Sequence, residues 1–143
     1  MPSSAHVVHD MTEMVAGMSP VLQPETFVFC TIFSNSDASE AIAAAKAMIQ
    51  EDEGVSLILP RDEAVRLGMI FDATYAQITL MVYSSLEGVG LTSSVSSKLA
   101  TRNIPCNIVA GTQHDHVFVP MRKKEEAMEA LKELQAEAQA HLS

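Results

Sequence analysis

Twice in this chain an apolar, β-prone run breaks at a polar stretch and passes into a segment with a helix-capping residue. The first run is Thr26–Phe33, TFVFCTIF, followed by Ser34-Asn35-Ser36 and then Asp37. The second is Gln77–Tyr83, followed by the loop Ser84–Gly90 and then Thr92. A run with apolar residues at nearly every position fits a strand covered on both faces. Two strand-then-helix units limit the chain to mixed α and β structure, and 143 residues with 48% hydrophobic content suffice for one core or two small halves sharing a sheet.

The remaining segments fill in around these units. Met11, Met14, Val15 and Met18 share one helical face behind Asp10 as N-cap, and Ser19-Pro20 stops that helix. Asp37 with Glu40 has capping-box spacing, and Ala41, Ile42, Ala45, Met48 and Ile49 predict a helix that runs on to Gly54. Val55–Leu59 reads as a strand, and Pro60 opens a short helix that Gly68 ends. A linker surrounds Asp72. Thr92 caps a helix carrying Val95 and Leu99, Cys106–Ala110 and His114–Val119 form a hairpin, and Lys123–His141 is a final helix with Ala127, Leu131, Leu134 and Ala138 as its stripe. The halves read βαβα and βαββα. The expected divisions are a tail over residues 1–9, taken as disordered, an N-terminal half over 10–72 and a C-terminal domain over 73–143.

Charge excludes some functions. Eighteen acidic against nine basic residues give a formal net charge of -9. Such a surface repels phosphate backbones, and the one basic cluster, Arg122-Lys123-Lys124, is followed at once by Glu125 and Glu126, so no nucleic-acid partner is expected. The N-terminus has neither a basic nor an apolar leader region, and no apolar run approaches a membrane span, so a cytoplasmic protein with no membrane partner is expected. Cys30 and Cys106 each lie in an apolar run and read as reduced, packed thiols.

Candidate chemistry is sparse. Gly88 and Gly90 precede the Thr92 helix, whose free N–H groups would suit a carboxylate or other small anion. The dinucleotide fingerprint lacks its third glycine. His114 and His116, two apart on a strand, share a face and could begin a metal site, but no third ligand follows at a telling spacing. No nucleophile–base pair can be named, and neither a catalytic residue nor a cofactor is expected.

Several strings carry a resemblance. Ser84–Thr92, Leu99-Ala100, Ile104, Cys106–Gly111 (ending NIVAG) and His114–Pro120 (HDHVFVP) are the specific ones, with Met18–Leu22, Phe27–Thr31 and Leu57–Pro60 upstream. The chain resembles a family of short stand-alone ACT-domain proteins of bacterial type. That resemblance implies an α+β, ferredoxin-like ACT-type βαββα unit, the N-terminal βαβα half completing or extending its antiparallel sheet. It also implies a regulatory protein that binds a small molecule, an amino acid in the first instance, and forms a homo-oligomer. The pocket it implies comprises Ser85, Leu86, Glu87, Gly88, Val89, Gly90, Leu91 and Thr92 from the loop, and Asn107, Ile108, Ala110 and Gly111 from the strand edge, with His114 and His116 closing it. Leu86-Glu87-Gly88 stands where many ACT modules have an acidic residue followed by Pro-Gly. The alternatives are an interaction protein that oligomerises without ligand, and a metal-dependent enzyme using His114 and His116.

Overall fold

The computed structural model describes residues 10–33 and 37–143, and the expectation of a disordered tail over residues 1–9 lies outside them. In chain order the elements are α1 (Met11–Ala16), β1 (Pro20–Phe33), α2 (Ser39–Ala44), β2 (Ala47–Glu51), β3 (Gly54–Pro60), α3 (Arg61–Arg66), β4 (Tyr75–Leu80), α4 (Leu91–Thr101), β5 (Asn107–Ala110), β6 (Asp115–Pro120) and α5 (Lys124–Leu142), with a 3-10 turn at Met121–Lys123. The chain packs as two compact units. A central unit comprises Pro24–Ala76, and a terminal unit joins the described residues up to Gln23 to Gln77–Ser143.

In the central unit the strand order is β2-β3-β1, all antiparallel. The register sets Val28 opposite Leu59, Cys30 opposite Leu57 and Ile32 opposite Val55. Period-two alternation sends these six to one face, where they form a core with Ala41 of α2 and Ala64 of α3. Leu67, Met69 and Phe71 pack against the same core. The helix expected through Ile49 stops at Ala44 instead. Ala45 turns extended, and residues 47–51 pair with β3 as β2. The reason is the hairpin behind it: Asp52-Glu53 is a two-residue turn, and Gly54 sits where an added Cβ would overlap the Ile32 carbonyl oxygen. Both halves of the chain therefore carry the order βαββα, and the first is not βαβα.

In the terminal unit β4, β6 and β5 follow one another, and the leading end of β1 lies beside β4. The Met81 N–H donates to the Met18 carbonyl at 2.6 Å there. Helices α1, α4 and α5 pack together. Met14, Val15, Met18, Leu91, Val95, Leu99, Ala127, Ala130 and Leu131 are buried, as are Ile78, Leu80, Val117 and Val119 of the strands. Asp10 caps α1 as its position predicts, accepting from the Glu13 N–H at 3.0 Å. Thr92 does not cap α4. Gly90 does, at φ 112°, a left-handed conformation open to glycine, so the helix starts two residues earlier than the side-chain pattern suggested.

Candidate functional site

The polar residues that the terminal unit buries are concentrated at one place. Gln77 and Thr79 point to the same face of β4, two residues apart, and are 1% and 4% exposed. Thr79 Oγ1 accepts from Gln23 Nε2 at 3.0 Å and from Gln77 Nε2 at 3.1 Å. His116 on β6 brings Nδ1 to 2.9 Å from Gln77 Nε2 and 3.1 Å from Thr79 Oγ1. These contacts join Gln23, Gln77, Thr79 and His116 in one buried polar group. Gln77 Oε1 is buried and has no protein partner. His114 lies just ahead of β6, with its ring 4.8 Å from that of Tyr83 and its Nδ1 buried without a protein partner. The two histidines thus occupy separate surroundings. Among the described residues no three His, Cys, Asp or Glu side chains converge as a metal site would need.

The residues expected around the glycine loop are placed as follows. Ser85 Oγ accepts from the Glu87 N–H at 3.0 Å, and its carbonyl accepts from Gly88 at 3.0 Å, which closes a tight turn. Leu86 and Val89 are 70% and 81% exposed, Glu87 and Thr92 are exposed, and Leu91 is buried. Gly88 lies against Met14, and a Cβ at Gly90 would run into the side chain of Met11. The glycines therefore let α1 lie across the start of α4. Asn107 and Ala110 are exposed on β5 and Ile108 is half-buried. Gly111 closes the β5–β6 turn, its N–H donating to the His114 carbonyl at 2.9 Å, and faces the edge of the His116 ring.

A large open cavity lies elsewhere, within the central unit. It encloses about 710 Å3 and is lined by residues 29–33 at the end of β1, by Asp37, Glu40 and Ala41 at the start of α2, and by residues 67–72 after α3. The volume falls in the range of small-molecule sites. Its lining is mixed, apolar side chains together with Asp37, Glu40 and Asp72. Phe33 is 61% and Ile70 89% exposed, large apolar areas left facing solvent at the cavity. Phe29 is braced edge-to-face by Tyr75, centroids 4.9 Å apart. Asp37 Oδ1 accepts from both the backbone N–H and the hydroxyl of Ser39, at 3.0 and 2.8 Å, and these bonds hold its carboxyl below the usual range. Burial pushes the Cys30 thiol up, so it lines the cavity as a neutral group. The cavity is not legible in the sequence, where Leu67 and Gly68 end the short helix begun at Pro60 and the stretch around Asp72 reads as a linker. The available signal was the apolar run Met69-Ile70-Phe71 with no element to occupy.

The cavity thus sits at the exit of the first strand of one βαββα unit, where the glycine loop sits in the other. ACT-domain family models match this chain twice, over residues 7–76 and over residues 72–133. A crystal structure of a protein of unknown function from Vibrio cholerae, described as a possible transport protein, is 36% identical with a TM-score of 0.76, covering 87% of this chain and 94% of that one. The chain is an ACT-domain protein. A protein from Agrobacterium tumefaciens is similar in fold, with 16% identity, a TM-score of 0.67 and coverage of 81% of this chain and 87% of that one. So is the ligand-free regulatory subunit of aspartate kinase from Thermus thermophilus, with 12% identity, a TM-score of 0.60 and coverage of 82% and 97%. No match was found among curated proteins. In this ACT-domain protein no described helix is long and apolar enough to cross a membrane.

Proposed function

We propose that this ACT-domain protein is a regulatory module that binds a small molecule, an amino acid or close relative, in the cavity of its central unit, and that it catalyses no reaction. The cavity carries the reading. It is of ligand size, is lined by apolar side chains together with three carboxylates, and lies where a strand passes into a helix. The fold it shares with an aspartate kinase regulatory subunit supports the regulatory part. A cytoplasmic homo-oligomer, with no nucleic acid and no membrane as partner, belongs to the same proposal.

A second location is the glycine loop, Ser85–Thr92, with Asn107, Ile108, Ala110, Gly111, His114 and His116 beside it. The unpartnered, buried Nδ1 of His114 favours it, because a ligand there would satisfy that atom.

A thermal-shift screen of the full chain against the twenty amino acids and their amides tests the reading. Native-state binding at a hundredfold excess over Kd stabilises by about 2.7 kcal/mol, a clear rise in Tm. A selective rise that disappears when Ala41 is enlarged to Phe, which fills the cavity, is the expected result. Flat curves throughout would remove the proposal.

A further inference from the structure

The cavity's charge is one-sided, and that restricts what it accepts. Asp37, Glu40 and Asp72 are the charged residues among the described lining, and no lysine, arginine or histidine accompanies them. Outside it, Arg66 is paired with Glu63 at 2.9 Å. Phe71 packs on the same face as Cys30 and Ile32 and is the ring on the cavity side, whereas Phe29 and Phe33 alternate with those residues along β1 and project to the other face. Carboxylates attract an ammonium by charge, and an aromatic ring attracts it through the negative face of its quadrupole. A free carboxylate on the ligand would instead face like charge with no basic side chain to meet it. The protein's net charge of -9 works in the same direction at long range.

We infer that the cavity selects an organic ammonium, a primary or quaternary amine on an apolar body, over the zwitterion or anion of the same body. This rests on the proposed binding role of the cavity and narrows its ligand class from amino acids in general to compounds whose carboxyl group is absent, amidated or esterified. Acidic amino acids are excluded by the same charges.

The test is calorimetric titration of the full chain with four probes of one size: phenylalanine amide, benzyltrimethylammonium, phenylalanine, and 3-phenylpropionate. Each is repeated on Asp37→Asn and Asp72→Asn; both residues are exposed, and Asn at position 37 can still accept from Ser39. The two cations are expected to bind at least about tenfold more tightly than phenylalanine. The propionate should give no heat, and each substitution should weaken the cations by about threefold, the worth of one partly solvated ion pair. If phenylalanine binds as tightly as its amide and neither substitution matters, the charge selection is wrong and the small-molecule reading stands. If no probe and no free amino acid binds, both fall.

Discussion

Two residues show how tightly local chemistry is constrained. At Gly54 a Cβ has no room against the Ile32 carbonyl, and the obstacle is backbone, which cannot swing aside. Gly54→Ala should therefore cost about 1–3 kcal/mol through strain in the β2–β3 hairpin, read as a lower urea midpoint. An unchanged midpoint would show that the hairpin relaxes freely. Thr79 is the hub of the buried polar group, receiving Gln23 and Gln77 and facing His116. Thr79→Val keeps the shape and removes the hydroxyl, leaving two donors unpaired. The expected loss is about 1–3 kcal/mol, and a neutral result would mean that water satisfies the group in its place. The alternation of Gln77 and Thr79 with Ile78 and Leu80 is plain in the sequence. Their meeting with His116 is not, because it depends on which strand lies next to β4.

Elements were legible where period and punctuation agreed. Asp10 before α1, Pro60 before α3 and Gly68 after it are local signals, and those helices stand where such signals put them. The segment 45–51 failed that test: its apolar spacing suits a helix, whereas its pairing with β3 is decided by residues three to eleven positions away. β2 is also largely exposed, so it lacks the alternating burial that marks a strand. It stands at the end of its unit's strand order and shows Met48 and Ile49, 45% and 62% exposed. If the proposed homo-oligomer uses this edge, Ile49→Lys should lower the sedimentation coefficient, and an unchanged value would place the contact elsewhere. On the opposite side of the chain's economy, α4 and α5 are clamped by charge. Glu133 accepts from Lys98 at 2.8 Å and Arg102 at 2.6 Å, and these partners, Lys98 first, hold its carboxyl below the usual glutamate range. A depressed carboxyl stabilises the fold above the ordinary glutamate pKa of about 4.3, and the contribution is lost as pH falls below it. Glu133→Gln should therefore flatten the acid limb of a stability–pH curve, and curves of the same slope would show the clamp to be idle.

For the molecule as a whole, the fold class and family were readable in the sequence, the fold class from the strand–break–helix pattern and the family from resemblance. The cavity proposed to hold the ligand was not. The same rule that pointed to the exit of the second unit's first strand applies equally to the first unit, but the motif strings drew attention to Ser85–Thr92. There Met11 and Met14 fill the space over the glycines. In the central unit the cavity lies between the end of β1, the start of α2 and the segment 67–72, which packs on the core through Leu67, Met69 and Phe71, a matter of tertiary structure that no local pattern encodes. The most direct test is amide chemical-shift mapping during titration with amino acids and their amides. The account predicts shifts confined to residues 29–33, 37–41 and 67–72. Shifts gathered at Ser85–Thr92 and Asn107–Gly111, or no shifts with any compound, would contradict it.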